Sequence, residues 1–210
     1  SGKTNIYLRL IEEYIKQGKQ VLYLLPEIAL TSQVIRRLQK HFGGYIGIYH
    51  SKFSQNERVE IWNKVKNAEL SVILGARSSV FLPYQNLGLV ICDEEHDTSF
   101  KQQEPAPRYN GRDAAIYLAS LFGAKTLLGS GTPSVESYYN AKHNKYGLVE
   151  LHKRFGDSQL PDIELTDIKD KHKRKQMQGH FSDRLMEQIQ ESLSIKEQVI
   201  LFQNRRGYSP

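Results

Sequence analysis

Along residues 1–150, short continuous apolar runs alternate with amphipathic helical patterns, and this alternation narrows the possible folds more than any other feature. The runs fall at 21–25, 71–74, 89–92 and 125–128, each closed by polar residues or glycine. Strands apolar on both faces belong to parallel sheets covered by helices on each side. Between the runs, Ile6, Leu10, Ile11, Tyr14 and Ile15 form one helical stripe, with Gly18 as its expected end. Val34, Ile35, Leu38 and Phe42 form a second, closed by Gly43-Gly44. Ser54 and Glu57 have capping-box spacing ahead of Val59, Ile61, Trp62 and Val65, with Trp62 expected in packing. Alanine-rich residues 112–121 make a fourth helix. The expected class is α/β, with a parallel sheet and right-handed crossovers.

After residue 150 the texture changes. Residues 151–181 read as a connector carrying the charged run 169–175, which suits a solvated segment. A helical pattern returns at Leu185, Met186, Ile189 and Leu193, followed by the apolar run 199–202, as if a second α/β domain opened over 182–210. The total of 210 residues fits this division. No run reaches the length of a membrane span, and no membrane partner is expected. Lone Cys92, read as a core strand residue, excludes an internal disulfide framework and a cysteine-built zinc site, so a reducing cytoplasm is the default. His41, His50, His143, His152, His172 and His180 show no ligand spacing. A net charge of +6 favours an anionic partner such as nucleic acid.

The chemistry is expected at the C-terminal edge of the sheet. Ser1-Gly2-Lys3-Thr4 has the residues that end a phosphate-binding loop and runs straight into the first helix. Glycine lets backbone N–H groups close around phosphates, Lys3 reaches the β/γ oxygens, and Thr4 offers a hydroxyl to Mg²⁺. Asp93-Glu94-Glu95-His96 follows the run 89–92 directly, where the acid that serves such a loop belongs. Asp93 is expected to hold Mg²⁺ and Glu94 to activate the attacking water. Three adjacent carboxylates repel one another, and a cation relieves that cost. Nucleotide hydrolysis is the expected reaction, with Lys3, Asp93 and Glu94 as its catalytic residues.

Three further segments lie at strand ends. Residues 24–31 (LLPEIALT), 75–81 (GARSSVF) and 129–134 (GSGTPS) place glycines and hydroxyls at the ligand edge, and Arg77 beside Ser78 suits a phosphate backbone. The segment from Phe100 to Arg112 interleaves Phe100, Lys101, Gln102, Gln103, Arg108, Tyr109 and Arg112 with Pro105 and Pro107. That mixture suits base stacking with phosphate contact on single strands. The alternative is that Phe100 and Tyr109 staple a surface loop to the core.

Gly-Lys-Thr, Asp-Glu-Glu-His and Gly-Ser-Gly-Thr-Pro, in this order, resemble motifs I, II and III of superfamily 2 helicases. More narrowly, Pro26–Thr31, Gly75–Ser79, Asp93–His96 with Lys101–Glu104, and Asn204–Tyr208 resemble the bacterial primosomal replication-restart helicases. The resemblance covers essentially the whole chain. It implies a RecA-like P-loop NTPase lobe over 1–150 and the start of a second RecA-like lobe. It also implies ATP with Mg²⁺ as cofactors, coupling through His96, Ser130 and Thr132, 3′→5′ unwinding of branched DNA, and single-stranded and fork DNA as partners. Single-stranded-DNA-binding protein and helicase-loading proteins of the primosome would be partners, in a bacterial, nucleoid-associated setting.

The family pattern also includes an N-terminal DNA-binding region, arginine fingers and zinc-binding cysteines. The cysteines and the fingers would lie beyond residue 210, so zinc is expected only there and the chain reads as a piece of a longer protein. At residues 109–113 the family reads Tyr-His-Ala-Arg-Asp, from which Asn110 and Gly111 depart. Two other readings stay open on the residues alone. One is a different superfamily 2 motor acting on RNA or chromatin, and the other is a DNA-binding module without catalysis.

Overall fold

A computed structural model describes residues 2–50, 53–151 and 161–202. Ser1, His152 and Asn204–Tyr208 lie outside the described residues. The chain divides into two compact units, Ser1–Asp157 and Ser158–Pro210.

The first unit is an α/β layer structure. Helix α1 (Lys3–Lys16) leads into β1 (Gln20–Leu24), α2 (Ser32–Phe42), β2 (Ile46–Tyr49), α3 (Gln55–Lys66) and β3 (Val72–Gly75). Then come β4 (Leu87–Asp93), α4 (Gly111–Phe122), β5 (Lys125–Gly129) and α5 (Val135–Lys142). The strands form one sheet in the order β2-β3-β1-β4-β5, every pair parallel. No described helix is long and apolar enough to cross a membrane.

Alternation along each strand builds two cores. Val21, Tyr23, Val72, Leu74, Leu89 and Ile91 pack under Tyr7, Leu8 and Ile11 of α1 and Leu38 and Phe42 of α2. Leu22, Leu24, Ile73, Val90 and Cys92 pack on the other face with Val65 of α3, Ala115 and Ala119 of α4, and Phe100. Strands β1 and β4 are therefore apolar on both faces, as continuous runs require.

Helix ends follow the sequence signals. Gly18 takes φ +70° and donates its N–H to the Ile15 carbonyl at 2.8 Å. Ser54 and Glu57 complete a reciprocal capping box on α3. The stripe of α1, however, is rotated from expectation: Ile6 is exposed, and Tyr7 and Leu8 are buried in its place. Trp62 is a second correction. It lies 40% exposed, with the Lys66 ammonium 5.4 Å from its ring, because α3 buries only Val65 fully.

In the second unit, α6 (Ile168–Lys173) is followed by an antiparallel pair, β6 (Met177–Gln178) with β7 (Phe181–Ser182), and by α7 (Asp183–Ser194). The charged run expected to be solvated connector thus carries a short helix, with Asp167 accepting from the Lys169 and Asp170 amides at its start. The apolar run 199–202, read with α7 as the opening of a second α/β domain, forms no strand among the described residues, and Ile200 and Phe202 stand exposed.

Candidate nucleotide-binding site

Parallel pairing sets the ends of β1, β3, β4 and β5 side by side. Asp93 is the last residue of β4, in register with Gly129 of β5. Lys3 is the first residue of α1, behind Gly2 at φ +80°. The Lys3 ammonium lies 2.8 Å from Glu94 Oε1 and 3.5 Å from Asp93 Oδ1. The structure therefore brings together the lysine and the two acids expected as catalytic. Thr4, half-buried, sits beside Lys3 in the first turn of α1.

The two acids occupy different surroundings. Asp93 is held from behind: Tyr7 Oη donates to Oδ1 at 3.0 Å, Tyr23 Oη to Oδ2 at 3.3 Å, and the Glu94 amide to Oδ1 at 3.1 Å. The tyrosine rings meet edge to face at 5.7 Å. Burial, and then the Asp93 charge, push both phenols far above their ordinary pKa, so they are neutral donors. Glu94 has 41% of its side chain exposed against 13% for Asp93. It takes φ +50°, a left-handed conformation that turns the chain sharply off the strand.

His96 joins this turn to the segment after β5. Its Nδ1 lies 2.7 Å from Ser130 Oγ, and its Nε2 lies 3.5 Å from Thr132 Oγ1, at the limit of a hydrogen bond. The Thr132 amide donates to the same Ser130 hydroxyl at 2.9 Å. His96 Nδ1 is also 3.7 Å from Glu94 Oε2. The three residues expected to couple are thus in contact with one another, and His96 among them lies beside Glu94.

Glu95 was not singled out among the expected site residues, yet it is the most enclosed acid of the turn, 2% exposed. Its Oε1 accepts from the Ser134 amide at 2.7 Å. Its Oε2 accepts from Ser134 Oγ at 3.0 Å, Ser137 Oγ at 2.8 Å and Arg112 Nη1 at 3.0 Å. Burial alone would raise its pKa, but these hydrogen bonds to the ionised form outweigh it and hold the carboxyl below its ordinary value. The three adjacent acids have different neighbours, though Asp93 and Glu94 both lie near the Lys3 ammonium. Asp93 faces two phenols, Glu94 faces Lys3, and Glu95 faces α4 and α5.

That arrangement corrects the reading of Arg112 as a DNA contact. Its guanidinium is engaged by Glu95, by Ser134 Oγ at 3.0 Å and by Asp113 at 2.9 Å, with 14% of the side chain exposed. Phe100 is corrected too: at 1% exposure it is a core residue and offers no face to a base. It staples the loop, one of the two outcomes weighed for it. Tyr109 is half-buried and meets Phe81 edge to face at 4.9 Å, and Phe81 itself is 62% exposed.

The loop is braced from within. An antiparallel bridge joins Lys101 to Asn110. Gln102 Nε2 donates to the Pro105 carbonyl at 2.7 Å and the Pro107 carbonyl at 3.1 Å. Lys101 Nζ donates to the Arg108 carbonyl at 2.7 Å, and Arg108 pairs with Glu104 at 2.6 Å. Both cations remain on the surface. Arg77 Nη1 donates to the Ser99 carbonyl at 2.9 Å, tying the turn after β3 to this loop, with Ser78 half-buried beside it.

Tyr7, Tyr23 and Glu95 were legible in part. Tyr7 lies one turn from Lys3 on α1, and Tyr23 is the one phenol in an otherwise aliphatic part of β1. A buried phenol needs a partner for its hydroxyl. Burial pushes the Cys92 thiol pKa up, as suits a core residue.

A lysine at a helix start, facing two acids at the end of a central parallel strand, is an arrangement suited to a nucleotide's phosphates. Residues 1–140 match the DEAD/DEAH box helicase family, and the chain belongs to it. It is similar to the replication restart protein PriA of Rickettsia felis, 44% identical over all 210 residues and 32% of that protein. It is 40% identical to the PriA of Bacillus subtilis over 209 residues, 100% of this chain and 26% of that one. The chain thus spans between a quarter and a third of the length of these relatives. The structure of RecG bound to a three-way DNA junction covers 69% of this chain and 18% of its own at 23% identity, with a TM-score of 0.48.

Proposed function

We propose that this chain carries the ATP-hydrolysing lobe of a replication-restart DNA helicase. The observation that carries the reading is the convergence of Lys3, Asp93 and Glu94, with Glu94 linked through His96 to Ser130 and Thr132. The DEAD/DEAH box helicase family and the similarity to the PriA proteins of Bacillus subtilis and Rickettsia felis support it. The oxygen donors Asp93 and Thr4 suit Mg²⁺, which takes one or two carboxylates together with substrate phosphates. When bound with ATP, the ion would neutralise charge on the β- and γ-phosphates.

The residues divide the remaining work. Lys3 exchanges Glu94 for the phosphates, so the entry of nucleotide uncovers the carboxylate that accepts a proton from the attacking water. His96 ties that carboxylate to Ser130 and Thr132. Arg77, Ser78, Lys101, Arg108 and Tyr109 are the residues proposed to meet DNA, with unwinding in the 3′→5′ direction on fork substrates. Single-stranded-DNA-binding protein and primosome components are the proposed partners.

The test is ATP hydrolysis by the full-length protein, titrated with forked, single-stranded and blunt DNA. DNA-stimulated turnover that is lost in Lys3→Ala and Glu94→Gln supports the reading. Salt-sensitive DNA binding without turnover, indifferent to Glu94→Gln, would leave a non-catalytic module instead. Preferential stimulation by RNA would point to another motor of the same fold.

A further inference from the structure

We propose that Tyr7 and Tyr23 are positioning residues that fix the Asp93 carboxylate for a divalent cation shared with bound nucleotide. The proposal rests on the nucleotide-hydrolysis reading above and names residues that the motifs leave unassigned.

Two elements far apart in sequence each commit a buried hydroxyl to the same carboxylate. Tyr7 comes from α1 and Tyr23 from β1, and they reach different oxygens of Asp93. Packing alone would be served equally well by phenylalanine at both places. Tyr23 is in register with Ile91, which puts Asp93 two residues further along the same face of β4. With the Glu94 amide, three donors pin two oxygens, so rotation of the carboxylate is blocked. Without them its nearest partner would be the Lys3 ammonium, now 3.5 Å away. A carboxylate free to close on Lys3 would be withdrawn from a cation.

Gly129 supplies an independent sign that the Tyr7 hydroxyl has a reserved place. A Cβ at residue 129 would lie 1.8 Å from Tyr7 Oη and 3.4 Å from Asp93 Oδ1. Gly129 has no positive φ, so backbone freedom does not account for the glycine. The residue opening the segment 129–134 is small because the phenol fills the space above it. Outer hydrogen-bond partners of this kind orient metal ligands and tune metal affinity.

The experiment uses the full-length protein, with Mn²⁺ as the probe ion. Mn²⁺ binding to the ADP complex is followed by the electron paramagnetic resonance of free Mn²⁺. ADP affinity in EDTA is measured by calorimetry, and folding by circular dichroism. Tyr7→Phe and Tyr23→Phe keep both rings and remove only the hydroxyls. Their combination should raise the Mn²⁺ dissociation constant by about tenfold, leaving metal-free ADP binding unchanged. Gly129→Ala, which displaces the Tyr7 hydroxyl from outside, should weaken Mn²⁺ in the same sense. Unchanged Mn²⁺ affinity in the folded double variant would overturn the proposal. Wild-type protein that binds no ADP would overturn the hydrolysis reading, and this inference with it.

Discussion

The Lys3 ammonium is 2.8 Å from Glu94 Oε1, so the lysine proposed to hold phosphate is paired with the acid proposed to activate water. On the proposed reading, nucleotide must break this pair before either residue can work. The pair is partly exposed and contributes about 0.2–1 kcal/mol.

Removing the competing charge therefore has two opposite effects. Glu94→Gln should bind ADP and ATP about 1.4-fold to fivefold more tightly, the affinity equivalent of that pair, while turnover is lost because an amide cannot act as base. Lys3→Ala should lose both binding and turnover. Equilibrium binding of a fluorescent nucleotide, set beside steady-state hydrolysis, separates the two. Weaker binding in Glu94→Gln would refute the competition.

Arg112 should act on stability before it acts on DNA. Arg112→Met leaves the buried Glu95 carboxylate without its cation and should cost about 3 kcal/mol in urea unfolding. The salt dependence of DNA binding should keep its slope, since a phosphate contact is not what is lost.

The pH dependence follows from the depressed pKa of Glu95. A group more acidic in the folded state stabilises fully above its unfolded value, ordinarily 4.5, and loses that contribution as pH falls through the lower folded value. The stability gap between wild type and Glu95→Gln should therefore be widest near neutrality and shrink below pH 4.5. Denaturant titrations at stepped pH measure it, and a gap that widens on acidification would reverse the sign.

Phe100 and Tyr109 should part company. Phe100→Ala empties a core position and should destabilise by about 3–5 kcal/mol. Tyr109→Ala and Phe81→Ala remove a half-buried ring and the exposed ring it meets, and should weaken single-strand binding by about 1–3 kcal/mol per stacked base. Fluorescence anisotropy with oligonucleotides, alongside thermal melts, tells the two classes apart.

Asn110 and Gly111 each hold a structural place at the start of α4. The Asn110 side chain accepts from the Arg112 and Asp113 amides and caps α4, so Asn110→Ala should cost about 1 kcal/mol. A Cβ on Gly111 would lie 2.7 Å from Arg77 Cβ. Gly111→Ala should accordingly cost about 1–3 kcal/mol through overpacking, read from urea midpoints.

The strands were legible where apolar residues run without a break. Strand β2 escaped because Gly47 interrupts it; a Cβ there would meet Leu70 Cδ1. The first two residues of β4 were hidden by Gly88, which lies so close to Tyr14 and Lys19 that a Cβ would come within 2.8 Å of each. Helix α5 was missed because its residues are mostly polar and only Ser137 is buried. At the site, Lys3, Asp93 and Glu94 were readable because spacing and strand ends carry them. Arg112 was not, because charge in a sequence does not say whether a guanidinium faces solvent or a buried acid. Glu95 was hidden by its neighbours, since three carboxylates in a row look alike until each is seen with its own partners.

The register of β4 with β5 bears on how the molecule breathes. Beyond the last ladder pair, the Glu95 amide donates to the Gly129 carbonyl at 3.1 Å, extending sheet-like bonding past the strand end. Edge strand β5 starts with Lys125 and Thr126 exposed, whereas β4 is buried along its length as far as Cys92. Local openings begin where burial is least, so solvent deuterium should enter at the start of β5 long before it reaches the amide of Glu95. The peptide that presents the acid proposed to activate water would then exchange on the timescale of the hydrophobic core, although it belongs to a loop.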